Sequence, residues 1–579
     1  MGYDFKVRAI ELHSLYAWDF EWIMMTMDFI QAHNMNTLIL HRNDFIDLIV
    51  YPGKYFGCSR EKYDSMLERY GEIFRKLYKY TPTRRSSPYQ RYGFLRRVLE
   101  EAKRRNIDIY IENKELYFPD IIIEFYPHLV KNGKICANDP FWWEFTRVKY
   151  KEFFEDFPDV AGIITAPATG ESRVSIKSNR CECELCKSTK VETWFRNLLE
   201  AMYEPIHAAG KKLVVRDFVF DPQAQQEILS VIDFLPEDVV ISLKNTPHDF
   251  YPTFPLNSRI GNVGNHEQWV EFDAMGQYFG WGIGIADLTE DYCNRFRAIK
   301  EKGASGIIVR TDWESLDGHS VFRTPNKINL YAAAAFSRNA DENIEKIYYR
   351  FLEEEEWFEK DTDESQKRNA AKWFGSLFSK TWPVVKKTVY VNDCVFSDSS
   401  LSPVTLEHAF WLALEKNSLR DWVPSKWDAI NPDMETLKRN LAEKDQALEE
   451  IEYIYNKSLE GCEGIRRDKL NYLQSRLFVN KVYVSFYRDI TRAVLLAHYI
   501  IETEEERNSE FFIKTREMLD EAINRLHDLE NEITEFYKTT SYRPHTIYTL
   551  LDPARVQAIR KDLTARINEF YKREGDKCE

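Results

Sequence analysis

The chain has 579 residues, enough for one barrel of about 250 residues plus an appendage. Its 44% apolar and 14% aromatic content, with 14 Trp, 32 Tyr and 37 Phe, is too much apolar surface to stay solvated, which excludes disorder for most of the chain. A formal net charge of -14 offers no basic footprint to nucleic-acid phosphates, and no apolar run approaches the ~18 residues that cross a bilayer.

Nine cysteines, an odd number spread over a large chain, argue against a disulfide scaffold and for a reducing compartment. Met1 to Leu12 lacks the basic stretch and apolar core of a secretory signal. The expectation is a soluble cytoplasmic protein with neither a nucleic-acid nor a membrane partner.

From Lys6 to about Ala335, short β-rich runs alternate with amphipathic stretches, the pattern of parallel strands with crossover helices. The predicted strands are Ala9 to His13, Thr37 to His41, Ile107 to Ile111, Gly162 to Ala166, Leu213 to Phe220, Val239 to Leu243, Trp269 to Tyr278 and Gly306 to Arg310. Eight such runs fit a (β/α)8 TIM barrel, an α/β fold spanning 1–338. Polar residues follow most of them: His41-Arg42-Asn43-Asp44, Glu112-Asn113-Lys114, Thr169-Gly170-Glu171, Lys244-Asn245 and Asp312-Trp313-Glu314. A barrel keeps its active site at that C-terminal face, although loops are polar in any case.

Beyond Asn339 the periodicity becomes helical. Glu435 to Glu460, Lys469 to Glu502, Glu510 to Thr540 and Pro553 to Arg573 carry apolar residues three and four apart among charges, predicting an all-α C-terminal domain over 339–579. Its charged faces, Glu353 to Glu356 included, read as solvated helix surface. The same amphipathic faces could pair two copies in a homodimer or simply pack on each other.

Two carboxylic acids facing each other across a sugar-sized cleft can hydrolyse a glycosidic bond, one protonating the leaving oxygen and the other activating water or attacking directly. Candidates by position are Glu171, Asp249, Asp273, Asp312 and Glu314. Taken singly, each is as well explained as an ordinary solvated side chain.

Their order along the chain adds information. Asp139-Pro140-Phe141-Trp142-Trp143, Phe157-Pro158-Asp159 and Gly162 to Glu171 resemble the stretch leading to the general acid of the family 67 α-glucuronidases, which remove (4-O-methyl-)glucuronic acid from the ends of xylan fragments. Val215-Arg216-Asp217-Phe218-Val219-Phe220-Asp221 is similar to the family's Trp-Arg-Ala-Phe-Val-Tyr-Asp, and Leu243 to Pro252 to its Ile-Lys-Asn-Gly-Pro-Ile-Asp-Phe-Gln-Pro. Asp312-Trp313 and Asn329-Leu330-Tyr331-Ala332 look like its last barrel strand and the following helix.

The likeness covers about Trp22 to Asp341, with some continuation beyond. It implies an exo-acting, inverting glycosidase on an oligosaccharide ending in α-linked glucuronic acid or a related acidic sugar. Glu171 is the implied acid and Asp249 the base. Arg216 is the implied contact to the uronate carboxylate, a task suited to the guanidinium fork. Lys244, Asn245, His248, Asp312, Trp313 and Glu314 are the expected substrate contacts, and no cofactor is required for catalysis. Inversion needs the carboxyl groups about 6.5 to 9.5 Å apart, retention about 5 Å.

The departures are informative. Where the family has a second catalytic glutamate, the stretch Glu271 to Tyr278 places Gln277, which can orient a water but cannot take its proton. Asp249 alone could then be the base, Asp273 or Glu314 could substitute, or the barrel could bind glycans without hydrolysing them. A different sugar, neutral or amino, is the other reading. The family's Arg-Glu after the aspartate motif is replaced by Thr253-Phe254. The family also carries a β-rich domain before its barrel, whereas here the barrel begins almost at Met1. Surfaces such a domain covers are expected to be polar, covered by another subunit, or covered by insertions such as Arg60 to Gly93.

Two further signals remain. Cys181-x-Cys183-x-x-Cys186 can supply three corners of a structural zinc site, with Cys136, Cys58 or a histidine as fourth, or can be three reduced thiols in a loop. A zinc hydrolase with an open coordination position is the weaker variant of the metal reading. His13, His41, His248 and His319 stand near strand ends, and Tyr117, Phe218, Tyr251, Trp281 and Trp313 are candidates for stacking on a pyranose ring.

Overall fold

The computed structural model describes residues 4–575 apart from 58–67, 69–70, 74, 76–81, 168, 178–180 and 220. Eight strands form a closed barrel: β1 (Val7–Leu12), β2 (Thr37–His41), β3 (Asp108–Glu112), β4 (Gly162–Thr165), β5 (Lys212–Asp217), β6 (Val240–Lys244), β7 (Gln268–Asp273) and β8 (Gly306–Arg310). They follow one another around the barrel in chain order, and β1 pairs in parallel with both β2 and β8. The expected barrel is present strand for strand. The largest difference is β7, which stops at Asp273 because the chain turns there under the aspartate's own hydrogen bonds.

Successive side chains of a strand point to opposite faces, so every second residue enters the barrel. One inward residue from each strand, Ala9, Ile39, Tyr110, Ile164, Val214, Val240, Trp269 and Ile308, forms a single apolar layer. Tyr110 meets Trp269 edge to face, with centroids 5.2 Å apart at 83°. These two rings need room. A Cβ on Gly162 would lie 2.7 Å from the Tyr110 ring and 2.4 Å from the Lys212 carbonyl oxygen, and one on Gly306 would lie 2.6 Å from the Trp269 indole. Two residues further along the same strands the inward positions are Glu11, His41, Glu112, Ala166, Arg216, Ser242, Glu271 and Arg310, seven of them polar.

The chain divides into two compact units that do not follow the expected boundary at 338. The first comprises 1–249, 256–272 and 297–318; the second comprises 250–255, 273–296 and 319–579. The segment 273–296 belongs to the second unit through specific bonds: Ala286 N–H donates to Asn326, Leu288 N–H to Asn329, and the Tyr348 hydroxyl to Asp287.

The second unit contains the four long helices read from the sequence, Met434–Glu460, Arg467–Glu502, Glu510–Thr539 and Pro553–Gly575. Asp433 and Ser509 cap the first and third by accepting from Thr436 N–H and Phe512 N–H. Ile451, Leu477, Leu526 and Ile559 are buried, each on one of these helices, as the three-and-four spacing requires. Among the described residues no helix is long and apolar enough to cross a membrane.

Candidate active site

The polar layer of the first unit is a connected network. Arg216 on β5 donates through Nε to Glu271 Oε1 at 2.7 Å, through Nη2 to the other Glu271 oxygen, and through Nη1 to Glu112 Oε1 at 2.5 Å. Ser242 adds a hydroxyl donor to Glu271 at 2.6 Å. On the opposite side Glu11 Oε1 receives His13 Nδ1 at 2.5 Å and His41 Nδ1 at 2.7 Å, and His41 Nε2 lies 3.1 Å from Glu112. Glu112 thereby joins the histidine pair to the arginine.

Burial and pairing set the charges. Burial opposes ionisation of Glu11, yet the two imidazoles hold it well below the usual carboxylate range. His13 works against burial too, but Glu314, 2.7 Å from its Nε2, and Glu11 push its pKa up to about 9. Burial and the charge on His13 hold His41 well below the usual imidazole value, so it is neutral. Burial lifts Glu112 to about 7 against the pull of Arg216.

Above this layer stand two lysines, Lys114 beyond β3 and Lys244 at the end of β6, both buried. Each ammonium donates to a carboxylate: Lys114 to Glu171, on the loop after β4, and Lys244 to Asp249, on the loop that follows its own strand. Lys244 Nζ lies 3.2 Å and Lys114 Nζ 5.9 Å from the centroid of one ring, Phe218, so the two nitrogens are no more than about 9 Å apart. Glu171 and Asp249 are thus each tied to a lysine beside the same ring. Burial lowers the Lys244 pKa to about 8, with Asp249 opposing and Arg216 adding to the fall. Asp249 has φ +49°, a left-handed conformation that aspartate tolerates better than most residues, and Thr246 Oγ1 fastens its carbonyl at 2.5 Å.

Beside the histidine pair a cavity of about 290 Å3 opens, lined by His13, His41, Asp44, Tyr117 and Glu314 among others. Its volume is at the small end of ligand pockets, roughly 300 to 1,000 Å3. Asp312, fully buried below it, accepts from His13 N–H at 2.9 Å, and burial raises its pKa to about 6. Glu314 is the exposed carboxylate at this opening; burial opposes its charge, but His13 and Lys114 hold it well below the usual range. Trp313 is half-buried next to it.

Several expected site residues are already engaged in the structure. Arg216 is 3% exposed and its fork is committed to Glu271 and Glu112. Asp273 uses its carboxylate to accept the N–H groups of Met275, Gly276 and Gln277, which makes it a turn cap. Gln277 belongs to the second unit, where its amide nitrogen lies 3.4 Å from Ser399 Oγ. His319 is in that unit as well, its pKa lowered to about 4 by burial. Tyr251 and Trp281 also lie there, Tyr251 against Tyr278 at 4.2 Å between centroids.

Asn245 is buried with a carbonyl oxygen that has no hydrogen-bond partner, and His248 is buried within the same turn as Asp249. Glu11 and Glu271 each lie inside a strand-forming run, where no loop position points to them. The available signal is the step of two along β1 and β7, from Ala9 to Glu11 and from Trp269 to Glu271.

A second buried network pins the loop after β3. Lys149 donates to Glu115 at 2.7 Å and to Asp47 at 3.1 Å, while Asn113 and Tyr150 also donate to Glu115. Two residue groups have metal-ligand geometry among the described residues: Cys136, Cys181, Cys183 and Cys186, and Glu11, His13 and His41, each with candidate ligand atoms within 4.8 Å of one another. Hydrogen bonding to the shared Glu11 oxygen accounts for the second group. Cys58 lies outside the described residues, as does part of the Arg60 to Gly93 insertion.

No protein-family model and no curated protein sequence matches this chain. Among solved structures it is similar to a GH138 enzyme targeting pectin rhamnogalacturonan II, at 12% identity and a TM-score of 0.61, over 99% of this chain and 84% of that one. Looser likenesses are to CpGH84B, at 12% identity and a TM-score of 0.41 over 96% of this chain and 77% of that one, and to a β-N-acetylhexosaminidase from Bacteroides fragilis NCTC 9343, at 16% and 0.38 over 61% and 70%. None of the three is a family 67 α-glucuronidase. The likeness that spans nearly the whole chain establishes the architecture, a (β/α)8 barrel continued by helices, as one this protein shares with a glycoside hydrolase.

Proposed function

We propose that the chain is a glycoside hydrolase that removes a terminal acidic sugar, α-linked glucuronic acid or a close relative, from an oligosaccharide. The observation that carries this reading is the pair Glu171 and Asp249, each held by a buried lysine over the one Phe218 ring at the C-terminal mouth of the barrel. Two carboxylates on separate loops above a cationic floor suit both halves of the reaction on an anionic sugar. The GH138 neighbour's action on pectin rhamnogalacturonan II agrees with a glycan substrate.

In this reading the sugar carboxylate is received by Lys114 and Lys244, not by Arg216. Engaging Lys114 takes the cation away from Glu171 and sets a second anion beside it, so that Glu171 takes up a proton from water and delivers it to the glycosidic oxygen as the bond breaks. Engaging Lys244 frees Asp249 to take a proton from the attacking water. Arg216 fixes Glu112 and Glu271 beneath, so the lysines rise from a rigid layer.

A second reading replaces Asp249 by Glu314, favoured by its place at the 290 Å3 cavity beside a charged His13. Asp273 loses that claim because three backbone N–H groups already occupy its carboxylate.

The test is release of free sugar from α-linked uronosides and from neutral and amino glycosides. Glu171→Gln is expected to lower kcat by roughly 10²- to 10⁴-fold. Asp249→Asn should match that loss, while Glu314→Gln leaves most of the rate; the reverse order selects the second reading. Proton NMR of the first product shows the opposite anomer for inversion. Turnover confined to neutral sugars would remove the uronate, and binding without turnover would make the barrel a glycan-binding module.

A further inference from the structure

We propose that Cys136, Cys181, Cys183 and Cys186 bind one zinc ion as a closed tetrathiolate site that staples the loop after β3 to the loop after β4. The four Sγ atoms come from segments about 45 residues apart and all lie within 4.8 Å of one another. Cys136 Sγ is 3.8 Å from Cys183 Sγ and 3.7 Å from Cys186 Sγ. A zinc tetrahedron with Zn–S bonds of about 2.3 Å has sulfur–sulfur edges of about 3.8 Å. A disulfide needs about 2.05 Å, and all four residues are free cysteines.

N–H donors are directed at two of the four sulfurs. Cys183 caps the short helix Glu184–Ser188 by accepting the Cys186 N–H at 3.5 Å, and Asn138 Nδ2 donates to Cys186 Sγ at 3.4 Å. N–H donors directed at sulfur are the outer-shell partners that hold metal thiolates in place. Two buried indoles fix the backbone on the Cys136 side: Trp142 Nε1 donates to the Cys136 carbonyl and Trp194 Nε1 to that of Ala137, both at 2.9 Å. Three of the sulfurs are buried and Cys183 is partly exposed. With four protein ligands no position is left for water, so the role is structural.

Its position explains what it secures. The same two loops are joined nearer the barrel by the Lys114–Glu171 ion pair, by Ser172 Oγ donating to the Glu115 carbonyl, and by paired backbone bonds between Leu116 and Val174. The cysteines fasten the far end of that seam. The inference is independent of whether Glu171 acts as an acid.

Elemental analysis of the purified full chain, grown with zinc and iron both available, tests it directly. One zinc per chain, with X-ray absorption giving four sulfur neighbours near 2.3 Å, is the expected result. Cys183→Ser, the least buried ligand, should lower zinc retention at least tenfold after a chelator challenge, while Cys462→Ser outside the cluster keeps full occupancy. Absence of zinc with four thiols titratable in the folded protein, an iron–sulfur absorption band, or a mass 2 Da low for a disulfide would each overturn the proposal. These readings on the wild type stand even if Cys183→Ser does not fold.

Discussion

Two successive layers inside one barrel, built by the same eight strands at the same spacing, have opposite chemistry. The lower, from Ala9 to Ile308, is apolar and holds by packing; the upper, from Glu11 to Arg310, is mostly polar and includes buried ions that hold one another. Apolar burial stabilises at roughly 25 cal/mol per Å2, whereas each buried ion incurs a desolvation cost that only a well-placed partner offsets. The lower layer is therefore tolerant and the upper one brittle. A protein that needed only stability would continue the first pattern; the change two residues further along each strand marks where the core ends and the site begins.

Arg216→Met is the most direct way to break this contrast. It leaves Glu112 and Glu271 buried without their cation, and a loss of about 3 to 5 kcal/mol is expected in denaturant unfolding. Replacing all three together, Glu112→Leu, Arg216→Met and Glu271→Leu, should recover most of that loss while abolishing the site; failure to recover would mean the ions stabilise the barrel in their own right.

The histidine pair sharpens the contrast through pH. The folded pKa of His13 is about 9 against 6.5 unfolded, so its contribution is whole below pH 6.5 and is lost as pH rises through 9, about 3 kcal/mol in all. His41 has the opposite sign: it stays neutral when folded, so stability falls as pH drops below 6.5. The pair's own contribution to the unfolding free energy should peak near pH 6.5, and His13→Gln should flatten the alkaline side. An unchanged alkaline slope would place the lost proton elsewhere.

Lys244 tests the layer above. Lys244→Met removes one charge-assisted contact worth about 1.5 to 3 kcal/mol, a rise in KM for an anionic substrate of roughly ten- to a hundredfold. In the wild type KM should rise as pH passes 8, where the depressed pKa discharges the ammonium. A neutral glycoside should show neither effect. Smallest of all, Ile39→Val in the apolar layer is expected to cost about 0.5 to 1.5 kcal/mol with kcat unchanged.

The strands were legible almost residue for residue because a parallel barrel buries both faces of each strand and so writes continuous apolar runs such as TLILH and GIIVR. The site was legible only in part. Glu171, Asp249 and Lys244 stand in loops after strands, where position alone draws attention. Glu11 and Glu271 are embedded in strands and show only in the step of two. What engages Arg216 could not be read at all, since Glu112 and Glu271 are 104 and 55 residues away along the chain. Asp273 misled for a local reason: an aspartate can cap its own turn as readily as it can take a proton. Cys136 was one of several candidate fourth ligands until the fold placed it.

The ring of Tyr110 set edge-on to Trp269 closes the barrel from below. A hydrolase built over such a floor has one doorway. Under the function proposed above, substrate and product share that doorway, and the freed sugar backs out along the path by which the substrate came. Departure of the product then competes with arrival of the next substrate.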